Sequence, residues 1–302
     1  MQIEEIITEI KRLKQEKGAV ILAHNYQPDE IQDIAEFVGD SLELSRKSAA
    51  IEAGIIVFCG VHFMAETAKI LSPDKKVLVP DITAGCPLAE ELTAEDVREI
   101  KKRLKGRRVV AYVNTTAEVK AESDVCCTSA NAVKVVSSLP DKEIIFVPDR
   151  NLADFVEERS QKKIISWDGY CPIHENISLK DIKKMKKLYP EAEVWAHPEC
   201  RSEVREAADR ILSTGQMIKE APNSAVKEII IATEIGILHR LRKENPEKKF
   251  YPANEKAICK NMKKVTLEKV YECLKKEQPE IVLEEKIIQK AKEAINQMVK
   301  YI

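Results

Sequence analysis

The run VILAHNYQ (residues 20–27) is a short apolar stretch that ends in polar residues, and it recurs as VVAYVNTT (109–116) and VWAHPECR (194–201). The polar ends His24, Tyr112 and His197 stand 88 and 85 residues apart. Other features keep this period. Ser41 in GDSLELS, Ser129 in CTSANAV and Thr214 in STGQMIK each precede a helical pattern. A second β-rich run follows in each unit (GIIVFCG, EIIFVPD, EIIIATE), and after a further helix come Cys86, Cys171 and Cys259. Each unit opens with a charged amphipathic helix: IITEIKRLKQ, TAEDVREIKKRL or SLKDIKKMKKLY. Helices that alternate with short, continuously apolar strands imply parallel sheets covered on both faces.

The sequence therefore predicts an α/β protein of three analogous, doubly wound, three-layer (αβα) domains, each reading α-β-α-β-α-β-loop. Their bounds fall at residues 1–90, 91–176 and 177–262. A C-terminal helical segment, 263–302, is placed against the first sheet. In open parallel sheets ligands bind outside the carboxyl ends of the strands. His24, Tyr112, His197 and the three cysteine loops all fall at such ends. Packing of the units about a pseudo-threefold axis would bring Cys86, Cys171 and Cys259 together although no two are near in sequence.

Composition narrows the function classes. With 49 basic against 50 acidic residues there is no net field for nucleic acid or an anionic membrane, and no basic-aromatic stripe is present. No run approaches eighteen apolar residues, and the start MQIEEIITEIKRLKQEKG is an amphipathic helix rather than a signal peptide. These features predict a cytoplasmic protein that acts on small molecules. The 33% of charged residues, rich in Lys and Glu, fits the ion-paired surfaces of thermophiles.

Eight cysteines in a reducing compartment argue against a disulfide framework. Cys59, Cys126, Cys127 and Cys273 read as packing residues. Cys200 lies near a strand end without a counterpart in the other units. A lone cysteine is ordinarily a small buried hydrophobe, but the shared period sets Cys86, Cys171 and Cys259 apart. Three thiolates are one fewer than structural zinc or an electron-transfer iron–sulfur cluster normally receives. A [4Fe–4S] cluster on three cysteines leaves one iron open as a Lewis acid, which suits dehydration. A three-cysteine zinc scaffold, a redox sensor, or a hydro-lyase of another hydroxyacid fits the same residues. The Ser41, Ser129 and Thr214 helix starts offer backbone N–H groups and hydroxyls for anions. His24, Tyr26, Tyr112, Asn114, His197 and Glu199 offer groups for acid–base work. The plainer alternative packs Tyr26 under its loop and pairs Glu199 with Arg201.

LAHNYQ, GDSLELS, CGVHFMAETAKIL, AGCPLAE, YVNTTAEVKAESDVCCTSANA, PDRNLA, WDGYCPIHE, HPEC, STGQMI and ATEIGILHRL together resemble the quinolinate synthase (quinolinate synthetase A) family, nearly end to end. The resemblance implies a [4Fe–4S] cluster held by Cys86, Cys171 and Cys259. It also implies condensation of iminoaspartate with dihydroxyacetone phosphate, with loss of phosphate and two waters, to give quinolinate for NAD biosynthesis. It places His24, Ser41, Tyr112, Asn114, Ser129, His197, Glu199 and Thr214 at substrate-binding positions, and Tyr26, Tyr112 and Glu199 among the catalytic groups. Transient contact with the enzyme that produces iminoaspartate is a further expectation. Longer relatives carry extra cysteines near the last ligand, whereas AICKNMKK has only Cys259, so a redox switch of that kind is not expected here.

Overall fold

The computed structural model describes residues 2–299. The outer ends of the first and last expected segments, residue 1 and residues 300–302, lie outside the described residues. The first unit runs α1 (Ile3–Lys17), β1 (Ala19–His24), α2 (Asp29–Ile34), β2 (Phe37–Gly39), α3 (Ser41–Ala50), β3 (Ile55–Cys59), α4 (His62–Leu71), β4 (Lys76–Leu78) and α5 (Pro87–Glu90). The second repeats it: α6 (Ala94–Arg103), β5 (Val109–Tyr112), α7 (Ala117–Glu122), β6 (Val125–Cys127), α8 (Ala132–Ser138), β7 (Glu143–Val147), α9 (Arg150–Ser160), β8 (Lys163–Ser166) and α10 (Pro172–Glu175). The third has α11 (Leu179–Leu188), β9 (Glu193–Ala196), α12 (Ser202–Glu206), β10 (Arg210–Ile211), α13 (Thr214–Glu220), β11 (Glu228–Ala232), α14 (Ile237–Glu244) and β12 (Lys249–Pro252). A 3₁₀ turn (Met262–Lys264), α15 (Leu267–Lys276) and α16 (Glu285–Val299) follow.

Each unit holds one parallel four-stranded sheet in the same order, β2-β1-β3-β4, β6-β5-β7-β8 and β10-β9-β11-β12. The expected α/β class with helix-flanked parallel sheets is observed. Each sheet gains a strand that the sequence pattern did not show, the edge strands β2, β6 and β10. They are two or three residues long, too short to display a hydrophobic period. Cys126 and Cys127, expected just before a helix, therefore lie on β6, where both are fully buried.

The helix starts also differ from expectation. Ser41 and Thr214 occupy the first helical position, and the caps are Asp40 and Ser213. Ser129 lies in a turn ahead of α8, which begins only at Ala132. The turn is closed by Asn131, whose Oδ1 accepts from the Thr128 N–H at 2.8 Å.

Helix α15 packs on α1 and β3, where Val270 and Leu274 are fully buried beside Ile10 and Ile21. Each such side chain stabilises the contact by roughly 1.5–3 kcal/mol. The chain then adds an antiparallel bridge to β4, with the Ile281 N–H donating to the Val77 carbonyl at 2.8 Å. Helix α16 continues across to α7 and β6 of the second unit. Among the described residues no helix is long and apolar enough to cross a membrane.

Each seam between units contains a buried charged side chain. Glu66 of α4 accepts from the Ala117 N–H that opens α7, at 3.0 Å. Arg205 of α12 donates to the Asn151 carbonyl at 3.1 Å and to Asp154 at 2.5 Å on α9. Asp40 caps two helices: Oδ1 accepts from Leu42 and Glu43 of α3, and Oδ2 from the Gly215 N–H of α13 at 3.2 Å. A side chain at Gly215 would place its Cβ 2.4 Å from that oxygen, so only glycine permits the approach. A hydrogen bond to such a charged group contributes about 1.5–3 kcal/mol.

Candidate active site

One cavity is lined from all three units at the carboxyl ends of their strands. His24 and Tyr112 close β1 and β5, and His197 directly follows β9. Every residue singled out in the sequence lines this cavity: His24, Tyr26, Ser41, Cys86, Tyr112, Asn114, Ser129, Cys171, His197, Glu199, Thr214 and Cys259. The other five cysteines do not. Cys200 is buried and directs its Sγ–H to the Ala232 carbonyl at 3.3 Å.

The Cys-Pro pairs have a local cause. Cys86 and Cys171 are the caps of α5 and α10, and Pro87 and Pro172 take the first helical position. There proline's missing N–H costs nothing and its φ is already suitable. Cys259 lacks the proline and precedes the 3₁₀ turn instead. In all three loops the backbone N–H three residues on (Ala89, His174, Met262) favours the anionic sulfur, although none closes a cap hydrogen bond of ordinary geometry. Burial, the larger influence, pushes the Cys86 thiol up to about 12, and those of Cys171 and Cys259 upward. The sulfurs lie within electrostatic reach of one another, Cys86 with Cys259 and Cys171 with Cys86. Such sulfurs ionise only beside a compensating cation, which a bound metal provides.

Opposite the sulfurs is a polar network that joins the units. Tyr26 Oη lies 2.5 Å from Thr233 Oγ1, which lies 2.8 Å from His174 Nε2. His174 Nδ1 is 3.0 Å from Glu199 Oε2, and His197 Nδ1 approaches the same oxygen at 3.2 Å. One proton assignment suits the chain: Tyr26 donates to Thr233 and Thr233 to His174 Nε2, which leaves the ring proton on Nδ1, facing Glu199. The His174 and His197 rings stack with centroids 4.5 Å apart. Arg201 pairs with Glu203, not with Glu199, so the surface pairing alternative for Glu199 does not occur.

Electrostatics give these groups distinct states. Burial alone would raise the Glu199 pKa, but His174 and His197 outweigh it and hold the carboxyl below its usual range. Burial, with His197 and Lys263 nearby, lowers His24 to about 3. Burial and His174 also lower His197. His24 Nδ1 accepts from the Tyr26 N–H at 3.1 Å, so neutral His24 presents Nε2–H. Burial and Glu199 raise both Tyr26 and Tyr112, which stay protonated. Glu199 Oε1, buried and without a hydrogen-bond partner, remains an open acceptor.

The backbone N–H groups expected to hold anions are partly taken. Asp40 occupies those of Leu42, Glu43 and Gly215, and Ser213 that of Gln216. At Ser41 and Thr214 the hydroxyls line the cavity, and Thr214 Oγ1 already accepts from Asn25 Nδ2 at 3.2 Å. Sequence reading missed His174, Thr233, Asp149 and Glu234. His174 has no counterpart three residues after Cys86 or Cys259, where Ala89 and Met262 stand, so a search for repeats passes over it. Asp149 and Glu234, 85 residues apart at the ends of EIIFVPD and EIIIATE, did carry the period.

Cys171, His174 and Glu199 present donor atoms within 4.8 Å of one another. His174 already engages both Glu199 and Thr233, which leaves the sulfurs as the ligands without another task. Three soft donors, one from each unit and with no fourth cysteine on the cavity wall, fit an iron–sulfur cluster with one open iron better than closed zinc.

Three like units with their reactive side chains at a common junction define an α/β enzyme whose site no single unit contains. The family described as NadA: Quinolinate synthetase A protein matches residues 8–300. The chain is 57% identical to a quinolinate synthase of Dehalococcoides mccartyi (strain BAV1) over the full length of both. It is 52% identical to one of Thermodesulfovibrio yellowstonii, covering 99% of each chain. It is 53% identical to one of Methanosarcina barkeri, covering 99% of this chain and 98% of that one. The chain belongs to the quinolinate synthase family.

Proposed function

We propose that the protein condenses iminoaspartate with dihydroxyacetone phosphate, releasing phosphate and two waters, and so forms quinolinate for NAD biosynthesis in the cytoplasm. The observation that carries this reading is the meeting of Cys86, Cys171 and Cys259, one per unit, at a cavity that also holds Glu199 and Tyr26. Cys86, Cys171 and Cys259 would hold a [4Fe–4S] cluster, which supplies a Lewis acid at its iron without a cysteine.

The chain's own residues divide the remaining work. The hydroxyls of Ser41, Ser129 and Thr214, Asn114 and the Nε2–H groups of neutral His24 and His197 bind the carboxylates and phosphate of the substrates. Tyr112, on the cavity wall with Ser129, orients the bound chain and offers a phenol proton. Glu199 Oε1 takes a proton from carbon, while Oε2 faces His174 Nδ1 and the Glu199 N–H donates to His197 Nδ1. Tyr26 delivers a proton to a departing oxygen, and Thr233, which also meets His174, holds its Oη in place. General acid–base help of this kind is worth about 10²–10⁴-fold. Buried walls exclude bulk water from the dehydrations. Iminoaspartate, an unstable imine, would arrive by transient contact with the enzyme that makes it.

The test is anaerobic reconstitution with iron and sulfide, followed by assay of quinolinate from the two substrates. A reconstituted protein that makes no quinolinate, or that dehydrates another hydroxyacid instead, overturns the proposal.

A further inference from the structure

Behind each cysteine of the cavity the cysteine's own backbone N–H donates to a carboxylate. Cys171 donates to Asp149 Oδ2 at 3.2 Å and Cys259 to Glu234 Oε1 at 3.0 Å. Both acids are buried, at 0% and 1% exposure. Both use their second oxygen in the same way, on the start of the helix after the third strand of the sheet. Asp149 Oδ1 accepts from the Leu152 N–H at 2.7 Å, and Glu234 Oε2 from the Gly236 N–H at 2.7 Å. One carboxylate thus ties the end of a central strand to a cysteine loop 22 or 25 residues further on.

We propose that Asp149 and Glu234 are positioning residues that set the Cys171 and Cys259 loops in their ligating conformation before the cluster arrives. A loop held at the cysteine amide has little backbone freedom left to lose when its sulfur binds iron. In the third unit the brace reaches further. Lys263 pairs with Glu234 at 3.0 Å and donates to the Tyr26 carbonyl, so the Cys259 loop and the Tyr26 loop of the first unit share one support. The first unit is built differently. Val61 stands 88 residues before Asp149, and the Cys86 N–H turns instead to Glu90 Oε1 of its own exposed turn, at 3.1 Å. Two loops are therefore braced from the protein interior and one only locally.

The inference rests on the three cysteines being cluster ligands, and the experiment separates the two claims. Asp149→Asn, which keeps one acceptor oxygen where two are used, and Glu234→Gln are reconstituted anaerobically. Iron release to a chelator is followed, together with the electron paramagnetic resonance line shape of the reduced cluster. Release is expected to quicken by about 10–100-fold, the usual cost of losing an outer partner of a metal ligand, with an altered line shape. Glu90→Gln is expected to change release less than either. Glu66→Gln, which removes a buried carboxylate from the start of α7 without touching a cysteine loop, controls for lost stability. Release at the wild-type rate with an unchanged line shape, or equal acceleration in Glu66→Gln, overturns the positioning role. A wild-type protein that never acquires a cluster overturns the ligand assignment beneath it. If Asp149→Asn does not fold, Glu234→Gln alone decides the outcome.

Discussion

The two walls of the cavity are built on opposite principles. The sulfur wall is modular: each cysteine is presented by its own loop at a repeated position and braced by its own carboxylate. The polar wall is a single connected object. Tyr26 comes from the first unit, His174 from the second, and Thr233, Glu199 and His197 from the third, each within hydrogen-bond reach of the next. Repetition provides copies of one ligand but not a chain of unlike groups. Acid–base chemistry needs unlike groups with separated pKa values, so the polar wall had to depart from the repeat.

The largest expected effect tests the modular wall. Replacing Cys86, Cys171 or Cys259 singly by Ser should abolish the visible absorption of the cluster, whereas Cys59→Ala and Cys273→Ala should keep it. A stable cluster in Cys171→Ser breaks the comparison at once.

Next in size are changes to the connected wall. Glu199→Gln and Tyr26→Phe should retain the cluster and lose roughly 10²–10⁴-fold in kcat. Thr233→Val combined with Tyr26→Phe should cost little more than Tyr26→Phe alone, because Thr233 acts by holding the Tyr26 hydroxyl. Steady-state kinetics of Tyr26→Phe, Thr233→Val and the double variant decide it. Fully additive losses would mean that the wall is not one unit.

Smaller effects belong to the hydroxyls. Thr214→Ala and Ser129→Ala each remove a bond to a charged group, about 1.5–3 kcal/mol. Calorimetry with a substrate analogue should show the weaker binding, and unchanged affinity in both would return these residues to a purely structural role.

The smallest effect at neutral pH appears only in acid. Folded His24 takes up its proton near pH 3, against 6.5 for the ordinary side chain. Between those values the unfolded chain holds the extra proton, so stability falls as pH drops from about 6.5 toward 3. The cysteines add nothing there, since their thiols are protonated in both states of the apoprotein. Urea midpoints at pH 7, 5 and 4 should fall less steeply in His24→Asn than in wild type, and parallel slopes would refute the assignment.

Much of this was legible in the chain itself. Periodic apolar runs dictated three parallel α/β units, because strand and helix patterns are local consequences of side-chain periodicity. The 85- and 88-residue spacing picked out Cys86, Cys171 and Cys259 from eight cysteines. The short strands β2, β6 and β10 escaped because two or three residues carry no period. The true helix caps at Asp40 and Ser213 escaped because several polar residues stand together at each helix start. Only the tertiary structure could decide that His174 meets Glu199, that Tyr26 reaches Thr233 across 207 residues, and that Asp149 and Glu234 hold the cysteine loops. Those pairings depend on how separate units pack, and the directions and burial of side chains at a junction are set by all the units together, not by the spacing within any one of them.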